Sequence, residues 1–131
     1  MNIFRQENLL SYQLIIEQKI HHLYVTAFGE NSAKTMASYL EQVFGICKEK
    51  GVRRLLLVEN LEGTPWDPLE AYKAASKKAL ETRGDLEAIA FVDVNASPER
   101  LELFAGPAAT GPEFRVKSFA IISEAEEWIQ K

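Results

Sequence analysis

The sequence of 131 residues contains few of the residues that most often carry chemistry. It has a single cysteine, Cys47, and two histidines, His21 and His22. One cysteine cannot form a disulfide within the chain, which agrees with a reducing compartment. Adjacent residues on an extended strand point to opposite faces. We therefore expect solvated histidines in or near a hairpin turn, and no metal site.

The sequence also lacks long apolar runs and any concentration of basic charge. No segment approaches the roughly 20 apolar residues that span a bilayer, and the first residues lack the apolar stretch of a signal peptide. The formal net charge is −4 and the basic residues are dispersed, which disfavours a nucleic-acid partner. Hydrophobic residues make up 47% of the chain, as in ordinary folded domains. We expect one cytoplasmic domain, residues 1–131, without a transmembrane segment.

What the chain does contain is an alternation of predicted strands and helices. Residues 12–18 and 22–28 are β-branched and aromatic runs separated by a short turn, as in an antiparallel hairpin. Further strands are predicted at 53–59, 86–92 and 114–119. Capping residues predict helices that begin near Ser32, Asp67, Ser97 and Ser123. The order ββαβαβαβα predicts a single-domain α/β sandwich with a mostly parallel sheet, opened by an N-terminal antiparallel hairpin.

The strand Arg53–Glu59 is predicted to be central in this sheet. It contains L-L-L-V, and an apolar run without alternation is typical of a strand that is covered on both faces. Asn31 or Ser32 is expected to cap the first helix and Gly51 to end it. The predicted buried set is Val25, Leu40, Phe44, Leu55, Leu57, Ile89, Phe91 and Trp128.

The main candidate site follows the central strand, in the segment E-N-L-E-G-T-P-W-D-P. Ligands of parallel sheets usually bind at the carboxyl ends of the strands. Trp66 is costly to expose there, so it either packs over a helix end or contacts a partner. We predict that this surface binds another protein or a second copy of the chain. Its residues are Leu61, Thr64, Trp66 and Asp67.

The motifs of several enzyme classes are missing. Gly106 and Gly111 match neither phosphate-binding glycine fingerprint. Cys47 falls on the apolar stripe of the first helix with no base nearby in sequence. The acid-rich loop with Glu59, Glu62 and Asp67 matches no calcium loop, so we interpret it as structural. We predict a protein without catalytic residues or a cofactor. The rival is an enzyme that uses carboxylates at strand ends, with Glu59, Asp67 and Asp93 as the first suspects.

The C-terminal residues F-R-V-K-S-F-A-I-I-S-E-A-E-E-W-I resemble the ending of the SpoIIAA-like bacterial branch of the STAS superfamily. That ending has a short strand, a phenylalanine and an acidic helix with E-A-x-x-W-[LI]. The element order resembles this branch over nearly the whole chain. The resemblance implies the same fold and a small, non-catalytic regulatory or protein-binding module.

The resemblance also bears on phosphorylation and on ligands. Family switches carry a phosphorylated serine at the start of the helix after the third strand. Here Thr64 is the only hydroxyl in that loop and the surrounding pattern does not match, so we expect no serine switch. Some relatives are thought to bind lipids or other apolar ligands between sheet and helices. In that alternative Met36, Leu40 and Tyr72 would line the pocket, but close packing in a small domain ranks it second.

Overall fold

Six strands form one sheet in a computed structural model that describes residues 2–8, 12–30, 32–62, 81, 84–94 and 114–131. The strands lie side by side in chain order. They are β1 (Asn2–Asn8), β2 (Tyr12–Gln18), β3 (Leu23–Glu30), β4 (Arg54–Glu62), β5 (Ala88–Asp93) and β6 (Arg115–Phe119). The described helices are α1 (Ala33–Lys50) and α2 (Ile122–Ile129). None of them is long and apolar enough to cross a membrane.

The pairing of the strands confirms the predicted α/β class. β2 and β3 form the antiparallel hairpin, and β3, β4, β5 and β6 run parallel. The sequence does not predict β1, which precedes this hairpin and pairs with β2 along its whole length. Five of the seven residues of β1 are polar, so the strand has little hydrophobic alternation to reveal it. The helices predicted from Asp67 and Ser97 fall outside the described residues, apart from Glu81, which is helical.

The strand β4 lies between β3 and β5 and is buried on both faces, as predicted. Leu55 and Leu57 belong to the core on the α1 face, whereas Leu56 and Val58 belong to the core on the α2 face. Of the predicted buried set, only Trp128 is not fully buried. It lies at the rim of α2, where its ring contacts Phe119 and Arg115. The inward positions of that helix are taken by Ala125 and Ile129.

The ends of α1 are set by local signals. The Ser32 hydroxyl accepts a hydrogen bond from the Thr35 amide at 3.1 Å, which satisfies one of the free N–H groups of the first turn. Gly51 ends the helix with φ of 67°, a left-handed conformation that favours glycine. Both predicted boundaries are confirmed. The buried side of α1 contributes Met36, Leu40 and Phe44 to the core of its face.

The beginning of α2 differs from the prediction. The sequence places a capping box at Ser123, but the helix starts at Ile122 and its N-cap is Ile121, which makes no side-chain cap hydrogen bond. Burial of Ala125 and Ile129 against the sheet sets the position of this helix, and the local capping pattern does not. Tertiary packing has overridden the local signal here.

Arg54, at the start of β4, holds the other end of α2. Its Nη1 donates a hydrogen bond to the Ile129 carbonyl at 3.0 Å, and its Nε donates to Glu87 Oε1 at 3.0 Å. A positive charge at a helix carboxyl end is favourable, because it meets the negative end of the helix dipole. One guanidinium therefore joins β4, the residue before β5 and the end of α2.

Replacing Arg54 by methionine should lower the free energy of unfolding by about 1–3 kcal/mol, because hydrogen bonds to a charged donor are lost while the apolar stem is kept. The matched control is Arg53→Met. Arg53 is 66% exposed and lies 3.7 Å from the same Glu87 carboxylate, so its loss should change stability by less than about 0.5 kcal/mol. Urea denaturation measures both. Equal losses for the two variants would contradict the role assigned to Arg54.

Candidate functional site

The carboxyl end of β4 is described as far as Glu62, so part of the predicted partner surface can be located. Leu61 is 1% exposed and packs in the core on the α1 face. The prediction is wrong for Leu61. The strand β4 continues past its predicted end at Glu59 as far as Glu62, and this keeps the Leu61 side chain on the same face as Leu57. Thr64, Trp66 and Asp67 lie outside the described residues, and their role as a contact surface stays a prediction.

The carboxylates near this end separate into a buried and an exposed set. Glu59 belongs to β4 itself and is fully buried, which corrects its predicted place in an acid-rich loop. It lies in register with Ala27 of β3 and Asp93 of β5. Glu62 is exposed and lies in register with the exposed Glu30. Among the described residues, no group of three side chains is arranged to hold a metal ion.

The described residues of the predicted apolar pocket are packed inside the core on the α1 face. Met36 and Leu40 are buried among other apolar side chains, and Tyr72 lies outside the described residues. Cys47 is buried on the same stripe of α1, as predicted. Burial raises the pKa of its thiol to about 12. The thiol is therefore protonated at neutral pH and is a poor nucleophile.

A second candidate site lies at the opposite end of the sheet, beside the turn that joins β2 to β3. The Lys19 amide donates to the His22 carbonyl at 2.9 Å and closes this turn. The turn and the last part of α2 together form a groove with a volume of about 750 Å³. We call it the His22 groove. Its lining residues are Gln18, Lys19, Ile20, His21, His22, Glu126 and Gln130.

His22 is buried in this groove, whereas the sequence predicts a solvated side chain. His21 is exposed as predicted, but His22 is only 4% exposed. Because Leu23 faces α1, its neighbour His22 lies on the side of α2, the same side as Tyr24. Both ring nitrogens of His22 are closed to solvent, and neither has a hydrogen-bond partner among the residues that the structure describes. The only sequence signal for the burial of His22 is that it alternates with Tyr24 along the strand. The helix α2 also contributes to this burial, and it lies about a hundred residues away in sequence.

The charges around the groove favour a neutral His22. Burial lowers the pKa of His22, and the nearby Glu126 carboxylate opposes this shift only in part. Burial raises the pKa of Tyr24, and the charge of Glu126 adds to that rise. Lys19 forms an ion pair with Glu17 at 3.0 Å, and its Nζ lies 5.6 Å from the centre of the Tyr24 ring. At neutral pH the groove thus presents a neutral imidazole, a carboxylate and an ammonium that is already paired.

These groups are suited to hydrogen bonding with a polar ligand. A neutral imidazole has one donor and one acceptor nitrogen, and the side-chain amides of Gln18 and Gln130 each offer both functions. The residues that line the groove include no hydroxyl or thiol group. The described part of the groove therefore has the chemistry of a binding site and lacks a side-chain nucleophile of the hydroxyl or thiol type.

Comparison with known proteins identifies the fold. No protein-family model matches the chain, and a search of curated proteins finds no match. Among solved structures, it is similar to an uncharacterized protein of the DUF3478 family with a SpoIIAA-like fold from Shewanella loihica PV-4. The sequence identity is 16%, the TM-score is 0.52, and the match covers 95% of this chain and 98% of that chain. The chain has a SpoIIAA-like fold, as the resemblance of its sequence implied.

The buried His22 should make stability depend on pH. Its pKa is lower in the folded protein than the ordinary value of 6.5, so below about pH 6.5 the unfolded chain binds more protons than the folded one. Stability should be complete above pH 6.5 and fall as the pH drops toward the folded pKa. The slope is at most about 1.4 kcal/mol per pH unit for one proton.

Urea denaturation between pH 5 and 8, roughly the range in which histidine titrates, measures this effect. The variant His22→Phe should lose less stability than the natural protein on the acid side. His21→Phe replaces an exposed histidine and is the matched control. It should keep the larger part of the acid-side loss, because burial is the first cause of the pKa shift of His22 and the charge of His21 is a lesser one. Parallel profiles for the natural protein and His22→Phe would contradict the buried, neutral state of His22.

Proposed function

We propose that this chain is a non-catalytic binding module with a regulatory or partner-binding role, and that its ligand binds in the His22 groove. The supporting observation is a groove of about 750 Å³ with a buried imidazole in its wall, whose two nitrogens lack hydrogen-bond partners within the described part of the chain. A buried polar group without a partner costs about 1–3 kcal/mol. Both ring nitrogens are closed to solvent, so a ligand would recover this free energy only by turning the imidazole toward the groove on binding. Buried groups of this kind are rare enough to need an explanation.

Two features of the described residues support binding over catalysis. Its described lining has no hydroxyl or thiol to act as a nucleophile. The thiol of Cys47 is buried on α1 and kept protonated by the shift of its pKa to about 12. A general acid or base also needs a partner group poised beside it, and His22 has no hydrogen bond to any side chain that the structure describes.

Ile20 supports a polypeptide as the partner. This residue is at the turn, lines the groove and is 93% exposed. An exposed aliphatic side chain beside a groove provides apolar contact area of the kind that protein interfaces bury. The carrier of an apolar ligand ranks second, because Met36 and Leu40 are already buried by their neighbours.

Native mass spectrometry of the protein isolated from its own cells tests this proposal. We expect a bound partner or ligand mass on the natural protein, its loss from His22→Phe, and its retention on the surface control Glu127→Gln, whose side chain is 72% exposed and does not line the groove. Both variants should first be shown to have the same circular dichroism as the natural protein. A bare mass for the natural protein, or equal occupancy of His22→Phe, would overturn the proposal. A lipid-sized mass that His22→Phe retains would favour the apolar-ligand alternative.

A further inference from the structure

The sheet has two outer strands among the residues that the structure describes, β1 and β6. The outer side of such a strand carries backbone N–H and C=O groups that can pair with another chain, and proteins often protect it with lysine, proline or a bulge. The seven residues of β1, N-I-F-R-Q-E-N, include no lysine or proline. The strand also pairs with β2 in an unbroken register along its whole length. It is therefore suited to accept a further strand.

We propose that two copies of this chain form a dimer by antiparallel pairing of β1 with β1, about a two-fold axis at Gln6. Arg5 of each copy lies opposite Glu7 of the other, and the two six-stranded sheets join into one continuous sheet. This inference goes beyond the proposed function. The described lining of the His22 groove lies at the end of β2, in the turn and on α2, so the two surfaces can be tested separately.

Two-fold symmetry limits the ways in which β1 can pair with itself. Residues directly opposite each other in an antiparallel pair share a face of the sheet, so the axis must pass between two copies of the same residue. An axis at Arg5 or at Glu7 places like charges opposite each other. An axis at Phe4 places Arg5 opposite the uncharged Ile3. An axis at Gln6 forms two Arg–Glu pairs, and it is the register that the charges of β1 favour.

The position of Arg5 and Glu7 in the sheet suits charged residues. The two residues alternate along β1 and therefore share a face. Arg5 lies in register with Ile15 of β2, which is 37% exposed. The other face of β2 carries Leu14 and Ile16, which are fully buried. The Arg–Glu pairs of the dimer therefore form on the more exposed face of the sheet, where they need not enter the core.

The other outer strand, β6, carries charges that oppose such a pairing. Arg115 and Lys117 are exposed, have the same sign and share one face of the strand. A two-fold axis at Val116 or at Lys117, in the middle of β6, would place like charges opposite each other. Charges of one sign are a common protection of a sheet edge. Charge complementarity thus selects β1 as the contact between two copies.

Sedimentation velocity of the full chain over a concentration series tests this inference. We expect an equilibrium between monomer and dimer without larger species, because a two-fold contact closes on itself. Added salt should weaken the dimer, since it screens exposed charge pairs. A chain that stays monomeric throughout the series would overturn the inference. An open-ended series of larger species would also overturn it, because such a series indicates head-to-tail pairing of β1 with β6.

Reversal of single charges tests the register. Arg5→Glu and Glu7→Arg each turn both charge pairs of the dimer into like-charge pairs, and each should weaken self-association by roughly tenfold or more. The matched control is Glu127→Arg, which makes the same change at a 72% exposed residue of α2. That helix packs on β4, β5 and β6, away from β1, so the control should change self-association by less than about twofold.

Two combinations of these variants should restore the dimer. A chain with both Arg5→Glu and Glu7→Arg exchanges the charges and keeps opposite signs across the axis. An equal mixture of the two single variants should form a heterodimer, because each charge of one variant then meets its opposite on the other. Rescue would also show that both single variants are folded. Single variants that associate as well as Glu127→Arg, or that neither combination rescues, would overturn the inference.

The outcome can be told apart from that of the proposed function. In native mass spectra, a dimer mass that His22→Phe retains and that Arg5→Glu loses belongs to the β1 contact. A ligand or partner mass that Arg5→Glu retains and that His22→Phe loses belongs to the groove. A dimer that depends on His22 and not on Arg5 would overturn the β1 contact.

Discussion

Apolar cover on both faces of β4 is the constraint on which the rest of the structure depends. Leu55 and Leu57 are buried toward α1, and Leu56 and Val58 toward α2. A strand of this kind is stable only with neighbours on both sides and helices over both faces. The parallel pairing of β4 with β3 and β5, and the placement of α1 and α2 on opposite faces, provide that cover.

The same arrangement produces the groove at the amino ends of the parallel strands. Arg54 begins β4 and bonds to the Ile129 carbonyl of α2, so the end of that helix is held close to the turn between β2 and β3. Glu126 thereby reaches the surroundings of His22. The buried imidazole of His22 lies at the wall of this groove, whereas the two clusters that cover the faces of β4 consist of apolar side chains, with the carboxylate of Glu59 buried beside them. In our account, this difference is what separates a binding site from the supporting fold.

Features with a local cause could be predicted from the sequence, and features that depend on distant packing could not. The run L-L-L-V and the caps Ser32 and Gly51 are readable because a few neighbouring residues determine them. The strand β1 was missed because it is mostly polar and is recognisable only through its pairing with β2. The predicted burial of Trp128 and the predicted cap at Ser123 are wrong because packing against the sheet determines which side of α2 is buried and where the helix begins. The burial of His22 was not predicted, because α2 contributes to it from the far end of the chain.

Native-state hydrogen exchange of the backbone amides of β4 tests the central claim most directly. If burial on both faces of β4 supports the whole sheet, the amides of Leu55, Leu56, Leu57 and Val58 should exchange only through global unfolding. Their exchange free energies should then equal the free energy of unfolding measured with urea, and α2 should not open without lowering their protection. Exchange of these amides through local opening, at a clearly smaller free energy, would contradict the account.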